Sequence, residues 1–410
     1  MKNEILTIDD ALDFIYGFVD YSLTHARNVP ANAFSLDKME KLLSRLGNPQ
    51  ESFTAVHVAG TKGKGSVCAM LAAGLQPSGL KIGLYTSPHL IRFNERIQIN
   101  GSMITDPELI ALVNQIRPQI DNSDPPSSFE VMTAIAFEFF RQMQVDYAVI
   151  ETGMGGRLDS TNVVKPLLSV ITPISLDHTQ FLGNSIPLIA KEKGGIIKSD
   201  VPVVVAAQPE EARTVLKQIA DERNAEWIDT VEQYGWIPLT DTPFSQKIAI
   251  WEKSNQNGMA QWLEGGTNNA WSPAIVDLPL AGFHQTMNAA TAYVALTRIC
   301  ELEGNLANCD IINGLGETFW PCRFEIIHEN PLIVLDGAHN MDSMRKMILT
   351  MNRYYGTRKI VCLFGASSDK KCDEMIGEIA PFVESFVVTR SIHPRSADPE
   401  ELGAIVSSHG

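Results

Sequence analysis

Hydrophobic and polar positions along the chain alternate between two periods. Ile8-Asp9-Asp10 opens a helical pattern that continues through Ala11 to Tyr21. Ser35-Leu36-Asp37 opens a second through Leu46, and Gly47-Asn48-Pro49 stops it. Short apolar runs follow, predicting strands at Thr54–Ala59, Ile82–Tyr85, Tyr147–Ile150, Leu168–Ile171 and Val201–Ala206. Longer helix-like stretches such as Val67–Leu75 and Val131–Met143 lie between them. Strands that are apolar throughout, alternating with helices, predict a parallel sheet covered on both faces.

Residues 225–275 break that rhythm. They hold five of the six tryptophans, and Lys247-Ile248-Ala249-Ile250-Trp251 alternates like an antiparallel hairpin strand. The aromatics there serve either hairpin packing or a ligand face, and packing is the commoner use. A helix-like stretch at Asn288–Cys300 and then Trp320-Pro321-Cys322-Arg323 lead into a second α/β set, with strands at Leu332–Leu335, Ile360–Phe364 and Phe386–Thr389. The expected class is α/β. A large phosphate-loop domain with a mainly parallel sheet and a small antiparallel insert (1–318) precedes a smaller C-terminal α/β domain (319–410).

Composition narrows the function. The chain has 410 residues, 44% hydrophobic and 20% charged, enough to bury a large core without covalent staples. A net charge of −15 argues against a general nucleic-acid or membrane surface. The six cysteines form no CxxC and no zinc spacing, which reads as buried thiols in a reducing compartment. The N-terminus lacks the basic start and apolar stretch of a signal peptide, and no run of 18 apolar residues occurs. A cytoplasmic protein is expected, acting as a monomer on small molecules, without nucleic-acid or membrane partners.

The strongest chemical signal is Gly60-Thr61-Lys62-Gly63-Lys64-Gly65-Ser66, between a strand and a helix. Glycines there let backbone N–H groups turn towards a phosphate, and the helix start adds partial positive charge. Lys64 can reach terminal phosphates and a hydroxyl can approach Mg²⁺, although a glycine separates the lysine from Ser66. Ligands of a parallel sheet bind beyond the carboxyl ends of its strands. Four more polar sites fall there: Thr86-Ser87-Pro88-His89, Glu151, Asp177-His178 and Lys191-Glu192-Lys193. Glu151 suits a Mg²⁺ ligand. His178 stands evenly between ligand and structural histidine, since magnesium prefers oxygen. Lys193 alone is unremarkable.

Taken together, GTKGKGS, TSPHLIRFNERI, SSFEVMTAIAF, ETGMGGRLDSTNVV, SLDHTQFLG, KEKGGIIK, HQTMNAA, WPCRFE and DGAHN resemble, in the same order, the folylpolyglutamate synthases and the closely related dihydrofolate synthases. These are Mur-type ATP-dependent ligases, and the likeness spans roughly residues 10 to 400. It implies that ATP phosphorylates a substrate carboxylate and that the amine of L-glutamate attacks the acyl phosphate. It implies Mg²⁺ held by Ser87, Glu151 and His178, and carbamylation of Lys193, which would turn an ammonium into an anionic oxygen ligand. Nucleotide contacts are implied at Asn288, besides the loop itself, and at Arg323, Asp336 and His339 of a second domain that closes over ATP. Asp336 suits ribose hydroxyls; its structural role would be a cap of the helix after Asn340, and the two are compatible.

The folate substrate is implied at Ser127, Ser128, Phe129, Glu130, Leu158, Asp159 and Ser160, with Phe129 either a ring-stacking partner or a core residue. The resemblance carries Gly more often where Cys322 stands, is looser over Gly365–Lys370, and is weak near Asn32–Lys38. That last segment leaves the dihydropteroate activity less supported than polyglutamylation. Members also run past PRSADPEEL into a further helix and closing strands, so the second domain is expected to be shortened, with an exposed sheet edge. A Mur-type ligase of a cell-wall precursor is the alternative. A nucleotide-dependent switch is disfavoured because Glu151, His178 and Lys193 are all present.

Overall fold

The computed structural model describes residues 4–20, 35–265, 271–306, 309–356, 358–392 and 395–409. Positions 32–34 of the weakly matching N-terminal segment, and Tyr21, lie outside them. In chain order the strands are β1 (Thr54–Ala59), β2 (Ile82–Tyr85), β3 (Ile97–Ile99), β4 (Ser102–Met103), β5 (Tyr147–Glu151), β6 (Pro166–Ile171), β7 (Val203–Val205), β8 (Trp227–Asp229), β9 (Tyr234–Asp241), β10 (Gln246–Glu252), β11 (Ala274–Leu278), β12 (Glu325–Glu329), β13 (Leu332–Leu335), β14 (Ile360–Phe364) and β15 (Val383–Val388). The helices used below are α1 (Ile8–Tyr16), α2 (Asp37–Arg45), α3 (Lys64–Leu75), α4 (Asp106–Ile116), α5 (Ser128–Gln142), α6 (Thr179–Leu182), α7 (Ile186–Lys193), α8 (Glu210–Glu222), α9 (Phe283–Leu302), α10 (Met341–Tyr355), α11 (Cys372–Ile379) and α12 (Pro399–Ser408).

Two compact units result. The first comprises Met1–Ile237, Ile248–Leu278 and Met287–Phe319; the second comprises Pro238–Lys247, Pro279–Thr286 and Trp320–Gly410.

The first unit is built on an eight-stranded sheet in the order β4-β3-β2-β5-β1-β6-β7-β8. Strands β2, β5, β1, β6, β7 and β8 run parallel, and β3 and β4 close one edge antiparallel. Every residue of β5 is buried, as a strand covered by helices on both faces must be. One face packs Ile15, Leu43, Phe53, Phe137 and Phe140. Phe53 meets both Phe137 and Phe140 edge-on, with ring centroids 5.7 Å apart. The other face packs Ile171, Ile189, Ile196 and Leu216. From β1 the chain crosses to β2 on one side, and from β5 to β6 on the other. The reversal opens a crevice outside the carboxyl ends of β5 and β1.

Two expectations change. The first helix ends at Tyr16, because Gly17 follows and its N–H closes on Asp13 O at 2.8 Å. The segment 225–275 is not all hairpin: Trp227–Asp229 extends the parallel sheet beside β7. The hairpin itself is present, with β9 and β10 joined by residues 242–245 in a three-stranded sheet β11-β10-β9. A connection that short requires antiparallel strands.

In the second unit β12 and β13 pair antiparallel, and β14 and β15 pair parallel. Its core gathers Met344 and Ile348 of α10, Phe364, Met375, Ile376 and Ile379 of α11, and Leu402 of α12.

Candidate active site

The glycine-rich segment leaves β1 and becomes the first turn of α3, whose N-cap is Gly63 at φ +82°. That left-handed backbone favours glycine, and a Cβ at Gly63 would stand 2.5 Å from Asn288 Oδ1. A Cβ at Gly60 would overlap Thr172. Both glycines are therefore required by close approach. Lys64, Gly65 and Ser66 follow as the first helical residues, so their N–H groups precede the first i to i−4 bond of the helix. Asn288, on α9, thus lies beside the loop although 225 positions separate it from Gly63.

The loop is latched to the chain after β6. Thr61 and Lys62 both donate their N–H to Pro173 O, at 3.0 and 3.1 Å. The Thr61 hydroxyl donates to Ser175 O and accepts from Ser175 N, both at 3.1 Å. Lys62 Nζ pairs with Asp177 Oδ2 at 3.1 Å. His178, next in sequence, has φ +47° and opens α6. The sequence drew attention to Asp177-His178; the part played by Thr172, Pro173 and Ser175 was missed. Their signal was position, directly beyond the carboxyl end of a buried strand.

Three further groups converge on this loop. Lys64 Nζ lies 3.8 Å from Glu151 Oε1, and the Glu151 side chain is 5% exposed. Ser87 N donates to Glu151 Oε2 at 3.0 Å. Lys193, from α7, donates to Gly60 O at 2.7 Å. Burial pushes the Lys193 amine down to about 7; Lys64 and Lys62 lower it further, and Asp177 and Asp159 oppose them. Four segments far apart in sequence thus meet at one end of the sheet.

Ser87 sits on a clamped loop. Leu90, Ile91 and Arg92 all donate N–H to the Glu95 carboxylate, at 2.6–2.8 Å. Partial burial alone would raise that carboxyl; the three donors, with His89, hold it below its usual range. Arg96 Nε donates to His89 Nδ1 at 2.8 Å.

The residues expected for folate collect around the start of α5. Ser127 and Glu130 form a reciprocal cap: Ser127 N donates to Glu130 Oε2 at 2.6 Å, and Glu130 N to Ser127 Oγ at 3.3 Å. Ser128 is buried beside them. The Phe129 ring stacks with Tyr85, centroids 6.2 Å apart, and lies so close to Gly153 that a Cβ there would stand 2.4 Å from it. Leu158 is half-buried. Asp159 is buried, and its oxygens accept from Met154 N at 2.8 Å and from Thr161 N and Oγ1 at 3.1 and 2.5 Å. Ser160 Oγ lies 2.9 Å from Thr133 Oγ1.

Arg323, Asp336 and His339 form a separate group within the second unit. Asp336 accepts from Phe324 N at 2.9 Å and Ala338 N at 2.8 Å. Burial raises its carboxyl, with those donors and Arg323 opposing. Asn340 caps α10, accepting from Ser343 N at 3.1 Å, so the capping role considered for Asp336 belongs to Asn340. Arg323 Nη1 donates to Cys322 O at 2.8 Å, above Gly337. The His339 ring donates from Nδ1 to Gly337 O at 2.8 Å. Cys322, where the resemblance more often has glycine, has φ +53°.

The buried Glu151 carboxylate, with the Ser87 backbone against it, supplies the oxygen chemistry that Mg²⁺ prefers. Among the described residues no three His, Cys, Asp or Glu side chains converge at metal-binding spacing. The expected ligand set, with one serine, does not require that. Among the described residues, no helix is long and apolar enough to cross a membrane.

Comparison with known proteins identifies the family. The Mur ligase middle domain family matches residues 58–296, and the Mur ligase, glutamate ligase domain family matches residues 322–410. The dihydrofolate synthase/folylpolyglutamate synthase of Bacillus subtilis (strain 168) is 36% identical over 374 residues, which is 90% of this chain and 83% of that protein. A solved folylpolyglutamate synthase of Mycobacterium tuberculosis, complexed with ADP and AMPPCP, superposes with a TM-score of 0.80 at 30% identity, covering 92% of this chain and 84% of that one. A solved FPGS–AMPPCP–folate complex gives 0.80 at 31%, covering 93% and 89%. With its phosphate loop, its strand-end carboxylate and matches over both units, the chain belongs to the folylpolyglutamate synthase/dihydrofolate synthase family of Mur-type ligases.

Proposed function

We propose that the site around Lys64 and Glu151 catalyses ATP-dependent addition of L-glutamate to folates, and to dihydropteroate. The observation that carries the reading is the meeting of Lys64, Glu151 and Ser87 at the phosphate loop, with Lys64 Nζ 3.8 Å from the carboxylate. The named relatives act on folates, and the cell-wall alternative is set aside. In this reading residues 1–318 form the ATPase domain and 319–410 the smaller one.

The reaction makes and breaks four bonds in two steps. A folate carboxylate oxygen attacks the γ-phosphorus, and the bond to the ADP oxygen breaks. The glutamate amine then attacks the acyl carbon, phosphate leaves, and the amine gives up a proton. Such phosphoryl transfer asks the protein for positioning and charge neutralisation rather than covalent help. Within the loop Gly60–Ser66, the helix start Lys64–Ser66 presents backbone donors and Lys64 a cation to the phosphates, while Thr61 and Lys62 hold the loop to Pro173, and Asn288 borders it. In the second unit Arg323 offers a permanent fork-shaped cation and Asp336 a buried carboxylate. We assign these two, with His339, to nucleotide binding.

Mg²⁺ would be held by Ser87, Glu151 and His178, where it would neutralise phosphate charge. We assign the folate to the segments Ser127–Glu130 and Leu158–Ser160, with Phe129 as its ring partner. Lys193 is suited to carbamylation: an amine near neutrality at pH 7 attacks CO₂ through nitrogen and releases a proton, leaving an anionic oxygen at the loop. Six free cysteines fit a reducing, cytoplasmic setting.

The test is ADP release with L-glutamate, run separately with tetrahydrofolate and dihydropteroate. Turnover with at least one is expected, and turnover with neither overturns the reading. Bicarbonate-free buffer should lower the rate, and added bicarbonate should restore it.

A further inference from the structure

His57 is a fully buried histidine at the centre of β1, in register with Ile150 of β5 and Ser169 of β6. Its Nε2 lies 2.8 Å from Thr161 Oγ1. That hydroxyl donates to Asp159 Oδ1 at 2.5 Å, so it accepts from the ring, and Nε2 carries the imidazole proton. Asp159 in turn accepts from Met154 N at 2.8 Å, and the Gly153 amide adds its own field to the carboxylate. A continuous buried chain therefore runs from the middle of β1, through His57, Thr161 and Asp159, to the turn that follows Glu151.

Two observations separate this chain from ordinary core packing. First, His57 Nδ1 is buried and has no hydrogen-bond partner among the described residues. An apolar side chain of similar size would avoid that cost, so stability alone does not account for a histidine here. Burial also pushes the imidazole down to about 3, which keeps it a neutral donor at physiological pH. Second, the turn it reaches stands between two groups of the reaction. Glu151 precedes it by two residues, and the Phe129 ring rests against Gly153. A second hydroxyl path, Tyr85 OH to Thr133 Oγ1 at 3.2 Å and on to Ser160 Oγ at 2.9 Å, ties the same segment to β2 and α5.

We propose that His57 and Thr161 are positioning residues for the ligase reaction. Through Asp159 they lock the Gly153-Met154 turn, and so fix the Phe129 floor of the folate site relative to Glu151. The proposal rests on the folate-ligase reading given above. Neither residue touches substrate; they act on the distance between the acyl group and the phosphate. Misplacement by about 1 Å can cost about a hundredfold in rate, so the lock acts on kcat more than on nucleotide affinity.

The experiment compares Thr161→Val, which keeps the shape and removes the hydroxyl, with Thr161→Ser, which keeps the hydroxyl. His57→Leu serves as a third variant. Two readouts are taken: kcat with the KM values for ATP and folate, and hydrogen exchange at the Gly153 and Met154 amides. Thr161→Val should lower kcat at least tenfold with the ATP KM within about twofold, and speed exchange at both amides. Thr161→Ser should stay within about threefold of the parent in both readouts. His57→Leu should lower kcat without lowering the melting temperature. Unchanged kcat and exchange in Thr161→Val, or a Thr161→Ser variant as poor as Thr161→Val, would overturn the proposal. If the parent enzyme shows no folate-dependent turnover while the exchange pattern follows expectation, the ligase reading fails and the lock stands.

Discussion

Strands β5 and β14 make an instructive pair. Tyr147–Glu151 and Ile360–Phe364 are both five-residue, mostly apolar runs in parallel pairings. In β5 every side chain is buried. In β14 burial alternates, with Val361 at 65% and Leu363 at 71% exposure while Phe364 is buried. Its partner β15 repeats the pattern, with Val387 exposed and Phe386 turned towards the core. The difference lies in the cover. The large sheet has helices on both faces, whereas the β14–β15 pair packs one face against α10, α11 and α12. An apolar run therefore reports a strand but not how many of its faces are covered. The region covered on both faces carries the phosphate loop and Glu151, consistent with the need to hold phosphate-binding groups on rigid elements.

The largest expected effect tests that rigid site. Lys64→Ala should reduce glutamate-dependent ADP release by about a hundred- to a thousandfold, equivalent to ~3–4 kcal/mol in the barrier. Its melting temperature should match the parent, and normal turnover would count against the assignment. The comparison itself is sharpened by truncating both strands. Ile150→Ala should cost ~2–5 kcal/mol in urea unfolding, because it opens a cavity between covered faces. Leu363→Ser should stay within about 0.5 kcal/mol, as a substitution on an exposed face. Equal costs would show that the β14 face is covered after all.

Lys193 gives a pH signature in the covered region. Its folded pKa, about 7, lies below that of the unfolded chain, so the unfolded state binds the extra proton between about pH 7 and 10.5. Stability contributed by this group therefore rises with pH across that window. In CO₂-free buffer Lys193→Met should be more stable than the parent at pH 7, with the advantage shrinking towards pH 10. A constant difference would contradict the buried, near-neutral amine. The smallest effect belongs to the second unit. Cys322→Gly removes a side chain from a backbone at φ +53° and should add about 0.5–1 kcal/mol, the strain relief being partly offset by glycine's freedom in the unfolded chain. A lower melting temperature would show that the Cys322 side chain outweighs its strain.

Much of this was legible in the residues themselves. Thr54–Ala59, Ile82–Tyr85, Leu332–Leu335 and Ile360–Phe364 are strands with the bounds their apolar runs predict. Each ends sharply at a turn or polar residue: Gly60, Thr86, Asp336 and Gly365. Glycines and lysines after β1, and an acid ending β5, announced a phosphate site because strand ends are where such sites form. Less visible were β8, whose three residues Trp227-Ile228-Asp229 join the main sheet as its last strand, and the helices α4 and α8, whose polar outer faces dilute their apolar period. The helix expected to reach Tyr21 stops at Gly17 because glycine weakens the helical state.

By itself the sequence determined the main buried strands, where the phosphate loop lies and which ligase family its motifs resemble, because those properties follow from local periodicity and from residues at fixed spacing. Tertiary structure decided what each polar group meets. It set Lys193 against Gly60 across 133 positions, placed Asn288 against Gly63, and joined His57 to Asp159 through Thr161. No local pattern encodes such pairs. They exist only once crossovers bring distant strand ends together, and burial then makes an unpaired polar group costly.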